Sequence, residues 1–214
     1  MNKYIFHILI ILCLCFSRSM AGIQFGLHAG VSRTALSGDV PEDASYLSKY
    51  GFIGTLSGEI PVTEDVNLYF GLQYLEKGTS VGYEVPKEKE LRDSLSLSLK
   101  YISLPILMRV YSSNGKTYVS GGFDLGFLQD GRLKDVRTGS ERDVTGWFKD
   151  IDISMCLGFG IMIPIDALKL NFELKYVQSV LSIGDLDGMD LQTGVPVRIR
   201  TNGFQFHTGI VFGI

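Results

Sequence analysis

Across residues 151–163 every odd position is large and apolar: Ile151, Ile153, Met155, Leu157, Phe159, Ile161 and Ile163. The even positions between them include Asp152, Ser154, Gly158 and Gly160. A repeat of two residues puts the two sets on opposite faces of a strand, whereas a helix would need a stripe repeating near 3.6. The same dyad runs through Ile23, Phe25, Leu27, Ala29 and Val31, set against Gln24, Gly26, His28, Gly30 and Ser32. It recurs in Leu168, Leu170, Phe172, Leu174 and Tyr176 against Lys169, Asn171, Glu173 and Lys175, and Val66, Leu68, Phe70, Leu72 and Tyr74 form another such face. Further strands read at 52–60, 95–110, 117–128 and 203–214, the last carrying Phe204, Phe206, Ile210, Phe212 and Ile214 on one side. The chain is therefore all-β, with about eight strands, inside the even-numbered range of barrels that cross outer membranes.

The connections alternate in length. Short ones fall at 61–65, at 112–115 with a hairpin-favouring Asn114-Gly115, and around 164–167. Long polar ones fall at 33–49, 78–94, 129–149 and 184–200. Short turns on one rim and long loops on the other are the arrangement of a transmembrane barrel, with the short turns in the periplasm and the long loops outside the cell. The expected fold is an eight-stranded antiparallel up-and-down transmembrane β-barrel.

Alternation alone leaves open which face meets solvent, so a soluble lipocalin-like barrel with an apolar pocket is the structural rival. The polar face decides between them. A water-exposed strand face is rich in Lys, Glu and Thr, but here that face is mostly Gly, Ser, Asn and Gln, with isolated Glu59, Asp124, Asp152, Glu173 and Lys175. Glycine, 25 of 214 residues, stands at about 12% against roughly 7% in average usage, and small residues suit a narrow, filled lumen. Tyr69, Tyr101, Tyr111, Tyr118, Tyr176 and Trp147 lie near strand ends or loops, where interfacial anchors belong. Pro105 inside a strand removes a ladder donor and is expected to mark a bulge or a change of phase.

Residues 1–21 carry Lys3, an apolar run over 4–16 and the small residues Ser19 and Ala21, the pattern of a secretory signal peptide. Residues 22–214 then form the barrel domain. Cys13 and Cys15 each follow a bulky Leu, which argues against lipidation. Cleavage removes Lys3, Arg18 and no acid, so the net charge moves from −3 to −5, and a nucleic-acid footprint is absent. Cys156 is left without a second cysteine for an internal disulfide. His28 and His207, with one Cys, are too few to spell out a zinc site, and no metal or cofactor is assigned; the two histidines face inward on neighbouring strands, where hydrogen bonding to their neighbours is expected and a paired-His metal or proton site is the alternative.

The residues resemble the PorT-like outer-membrane β-barrels. The resemblance rests on Gly26-x-x-x-Gly30, Leu72-x-Tyr74-x-x-Lys77-Gly78, Leu99-x-Tyr101-x-x-Leu104-Pro105, Tyr118-x-x-x-Gly122, and Phe204-Gln205-Phe206 running to Phe212. It implies a barrel in the outer membrane of a Gram-negative cell, in contact with outer-membrane lipid and the barrel-assembly machinery. It also implies an association with type IX secretion, the role of the family's named member.

Candidate lumen residues are His28, Glu59, Asp124, Asp152, Glu173, Lys175 and His207, with Lys100 as a further ion-path candidate. An eight-stranded barrel is just wide enough for side chains to fill, so these charges are expected to pair. Neither histidine is followed two residues later by serine, the deacylase-type arrangement, and no catalytic residue is assigned. The 129–149 loop offers Arg132, Arg137, Arg142, Trp147 and Phe148 as candidate contacts for a secretion or surface partner, since Arg and aromatic side chains dominate interface energy. Trp147 and Phe148 at the membrane interface is the competing assignment. The leading function is a non-enzymatic outer-membrane barrel acting through its loops, structural, adhesive or secretion-associated. A lipid-modifying enzyme and a small-ligand transport barrel stand as alternatives.

Ala21 is the small residue that closes the leader, with Ser19 two positions before it. Intact-mass measurement of the native protein is expected to show an N-terminus at Gly22; a retained Met1 or a lipid on Cys13 or Cys15 would overturn the leader assignment.

Overall fold

A computed structural model describes residues 22–38, 44–84, 91–184 and 199–213; the leader lies outside them. Nine strands follow one another: β1 (Gln24–Gly38), β2 (Ala44–Pro61), β3 (Val66–Glu84), β4 (Leu91–Tyr111), β5 (Thr117–Asp135), β6 (Glu141–Asp143), β7 (Ile151–Ile165), β8 (Leu168–Ser179) and β9 (Ile199–Gly213). Eight of them form the wall. Each pairs antiparallel with its neighbour in the order β4-β3-β2-β1-β9-β8-β7-β5, and a β4–β5 ladder closes the ring. The first and last strands pair along their whole described length, from Gln24 opposite Gly213 to Gly38 opposite Ile199. The three-residue β6 lies outside the ring and pairs only with the far end of β5.

Closure is what the solvent demands. In hydrocarbon no water satisfies an exposed N–H or C=O, so a sheet can cross a membrane only if it has no edge. Where the β2–β3 register shifts, between Ser48 and Ile53, β1 fills in. Ser32 Oγ donates to the Glu76 carbonyl at 2.5 Å, while Thr34 Oγ1 accepts from the Gly78 N–H at 2.9 Å and donates to its carbonyl at 3.1 Å. At the short-turn rim, Gly115 takes φ +64°, which only a residue without Cβ adopts readily, and the Asn114 side chain accepts from the Lys116 N–H.

The two faces separate as the dyads require. Phe25, Leu27 and Val31, Met155, Leu157, Phe159 and Ile161, and Phe204, Phe206 and Ile210 point outward, while Ser32, Thr34, Asp152, Ser154, Glu173, Lys175 and Gln205 are buried. Aromatic pairs mark the outward belt, among them Phe52 with Tyr74, Tyr176 with Phe204, and Phe25 with Phe212.

Four sequence expectations need correction. The strands run well past the apolar dyads, so that strand takes up most of the 33–49 and 78–94 connections and part of 129–149: β1 continues to Gly38, β3 to Glu84 and β5 to Asp135. Tyr69, Tyr101 and Tyr118 are buried inside the barrel; half-buried Tyr111 packs against Tyr118, whose hydroxyl donates to Asn171 at 2.8 Å. A phenol can satisfy its hydroxyl inside a polar lumen, so the position of a tyrosine near a strand end does not fix its face. Pro105 stays in register opposite Asp124, and the β4–β5 irregularity falls earlier, at Lys100 and Tyr101. Lys100 is away from the ion path, its ammonium 3.0 Å from Asp130 in a pair that solvent reaches.

Leu157 is 56% exposed near the middle of β7, and Val136, in the turn beyond β5, is 50% exposed. Leu157→Arg is expected to cost about 2–4 kcal/mol at the bilayer midplane, and Val136→Arg close to nothing. Urea titration in lipid vesicles measures both; equal costs would contradict the placement of the membrane.

Candidate functional site

The lumen holds two polar clusters and, above them, an apolar one. Arg109 on β4 is 1% exposed and anchors the cluster nearer the short turns. Its guanidinium donates to Glu59 on β2 and to Glu173 on β8, both at 2.8 Å, and so ties opposite walls of the barrel together. The rings of Tyr69 and Tyr118 lie 3.9 and 4.4 Å from its central carbon, which adds cation–π attraction. The carboxylates are filled in turn. Glu59 accepts from Asn67 and from the Tyr111 hydroxyl, and Glu173 from Ser120 at 2.8 Å. Room for this arrangement comes from β7, where a Cβ on Gly160 would lie 2.1 Å from the Tyr118 ring and one on Gly158 would lie 2.4 Å from the Ser120 hydroxyl.

The second cluster is centred on Lys77 of β3, whose ammonium lies 2.7 Å from Asp152 and 3.1 Å from Ser154 on β7. Ser179 also donates to Asp152, and Ser103 donates to Asp124 at 3.2 Å. His28 bonds Ser57 at 2.9 Å and His207 bonds Gln205 at 3.2 Å. The two histidines sit on paired strands in a diagonal register, each with a separate partner. His28 and Ser57 thus have the spacing of a base and a hydroxyl nucleophile. His28 is, however, buried within a packed lumen, and no step is assigned to the pair.

Each lumen candidate named from the sequence is buried: His28, Glu59, Asp124, Asp152, Glu173, Lys175 and His207. The two cations at the centres of the clusters, Arg109 and Lys77, were missed. Around Arg109 both phases of β4 read as apolar, with Leu104, Ile106 and Met108 outward and Leu107 inward, so the pattern assigns no face. Lys77 stands past the apolar dyad that ends at Tyr74, at the close of the strand, where no alternation assigns it a face. The signal that could have placed both is charge: four buried acids need more cations than Lys175.

Toward the long-loop end the interior turns apolar. Leu36, Ile53, Leu75, Leu97, Leu99, Tyr101 and Ile199 from the walls pack against Val144, Phe148 and Ile183 from the connections. A short 3-10 helix, Thr145–Trp147, lays this cap across the mouth. The Val144 N–H donates to the Gly131 carbonyl, the Gly131 N–H donates to Thr145 Oγ1, and the Lys149 N–H donates to the Ile183 carbonyl. Asp143 accepts from the Thr145 N–H at 2.9 Å and from its hydroxyl at 2.7 Å, bonds that hold its carboxyl below the usual range. Phe148 is buried in this core rather than exposed as an anchor, and Trp147 packs half-buried beside it. Arg132, Arg137 and Arg142 remain exposed on the rim; Arg132 pairs with Asp130 and Glu141.

Removing Arg109 leaves two carboxylates buried without their cation, a change that typically costs about 3–5 kcal/mol. Arg109→Ala is expected to lose that much in urea titration in vesicles, while the wild type passes no stable current steps in planar bilayers. A fully stable variant, or a conducting wild type, would remove Arg109 from the centre of the closed lumen.

The family profile described as outer membrane protein beta-barrel domain matches residues 17–185. Among solved structures the chain is similar to the outer membrane protein OprG from Pseudomonas aeruginosa, at 12% identity and TM-score 0.50, covering 92% of this chain and 97% of that one. AlkL in DMPC bilayers gives the same identity and TM-score, with 92% of each chain covered. Neisserial surface protein A is 15% identical over 89% of this chain and 97% of that one, with TM-score 0.47. At such identities the likeness is one of fold alone. No curated protein matches the sequence. The profile covers most of a chain that closes into a lipid-facing, eight-stranded ring, and the protein therefore belongs to the outer membrane protein β-barrel domain family and resides in the outer membrane of a Gram-negative cell.

Proposed function

We propose that the protein is a non-enzymatic, ion-impermeable barrel that acts at the cell surface through the β5–β6 rim, engaging a surface or secretion partner. The observation that carries this reading is the fixed geometry of that rim. β6 pairs with β5 at Arg132, Leu133 and Lys134, and Asp135 caps the turn through the backbone N–H groups of Arg137 and Thr138 at 2.8 and 2.9 Å. Beneath the hairpin lies a cleft of about 330 Å³ lined by Leu95, Leu133, Asp135, Ser140, Glu141 and Arg142. The side chains of the wall are committed elsewhere, outward to lipid and inward to the ion-pair clusters, which leaves the rim to carry specific recognition.

Among the described residues neither Arg137 nor Arg142 forms an ion pair, so both guanidinium groups are available to a carboxylate or phosphate on a partner. Trp147 and Phe148 act from below, fixing the platform on which the arginines stand. The resemblance to PorT-like barrels supports a secretion-associated partner, and insertion by the barrel-assembly machinery after removal of residues 1–21 completes the reading.

Because Val144 and Phe148 belong to the apolar core of the cap, shortening the whole loop would unseat the cap and confuse folding with function. Replacing Arg137 and Arg142 together by Ser removes the charges alone. The doubly substituted protein is expected to reach the outer membrane at wild-type level and to show at least half of the surface or secretion defect of a deletion strain. Full complementation by the folded variant would refute the rim as the working surface.

A further inference from the structure

Among the described residues, the apolar core toward the long-loop end leaves a space between its side chains. A cavity of about 170 Å³ opens beneath the cap, lined by Leu36, Tyr46, Thr79, Leu97, Trp147 and Phe148, with Val81, Leu95, Leu133 and Ile199 completing its wall. Protein interiors pack as densely as organic crystals and hold few voids larger than a water molecule. One larger side chain at Val81 or Thr79 would close this one. The Thr79 hydroxyl donates its proton to the Leu47 carbonyl at 2.8 Å, so toward the cavity it can only accept.

We propose that this cavity binds one small apolar molecule, a single aromatic ring or a hydrocarbon of similar bulk, taken up from the water outside the cell. Size selects the ligand. An engineered apolar cavity of about 150 Å³ takes benzene, and this one, though partly open, is of the same order of volume. Position selects the source, since the cavity sits under the cap at the long-loop end, above the polar clusters that fill the lumen. Apolar side chains make up most of its wall, and Tyr46, Thr79 and Trp147 bring the polar groups that border it. The cap supplies the entrance. It is a single turn of 3-10 helix, Thr145–Trp147, with Gly146 exposed on its outer side, and the space beneath it is partly open. The site is separate from the arginine surface of the rim, and each can fail without the other.

Trp147 is the chain's only tryptophan and lines the cavity, so its fluorescence reports occupancy directly. The mature protein in detergent micelles is titrated with nitrobenzene, a one-ring quencher. Wild type is expected to show a saturable quench above the linear collisional background, displaced by toluene and not by the larger anthracene. Val81→Phe is expected to weaken the saturable phase at least tenfold with the micelle background unchanged. A purely linear quench in the wild type, or equal displacement by toluene and anthracene, overturns the site. So does an unchanged saturable phase in folded Val81→Phe. If that variant fails to fold, the toluene and anthracene comparison on wild type decides alone.

Discussion

A backbone that crosses hydrocarbon has no water to bond, and the rest of this structure follows from that constraint. The β1–β9 and β4–β5 ladders join the two halves of the sheet into a ring without an edge. Eight strands in a ring leave an interior that side chains must fill, and its polar half of the alternation then becomes a buried set of charges. Three of the acids are held by cations bridging distant strands, Arg109 between Glu59 and Glu173 and Lys77 against Asp152, whereas among the described residues Asp124 and Lys175 form no ion pair and Asp124 accepts from Ser103 instead. A buried ion pair is weak evidence of stability in itself, since desolvation offsets most of the attraction. Here the pairs do something more specific. They connect β4 to β2 and β8, and β3 to β7, across the lumen, so that backbone closure and side-chain closure support one another.

The polarity of the barrel reverses along its axis. Within the membrane its outside is apolar and its inside charged. Toward the long-loop end the same strands continue with Leu36, Leu97, Leu99 and Ile199 facing inward, packed against Val144, Phe148 and Ile183. The reversal tracks the solvent, because outside the bilayer water surrounds the wall and the hydrophobic effect again favours an apolar interior. One continuous strand such as β1 serves both regimes, with Leu27 and Val31 outward in the lower part and Leu36 inward in the upper. The lower part is thereby suited to being sealed and stable, and the upper part to presenting a shaped surface and a small apolar space.

The alternation in the sequence by itself determined the class of fold, the place of each of the eight wall strands, and the inward face that carries His28, Glu59, Asp124, Asp152, Glu173, Lys175 and His207. It could do so because a period of two is a local property, fixed by the backbone of each strand and needing no knowledge of its neighbours. The same locality explains what was lost. Around Arg109 both phases of β4 are apolar, so no pattern marks the inward one. Lys77 lies beyond the apolar dyad of β3, and Tyr69, Tyr101 and Tyr118 are equally at home at an interface or in a polar lumen. Trp147 and Phe148 looked like exposed anchors because a loop sequence contains no record of the surface it folds against. Which cation meets which carboxylate, and that a cap closes over an unfilled apolar space, are decided by strands and loops far apart in the chain. Those contacts exist only once the ring has closed, and only the tertiary structure could decide them.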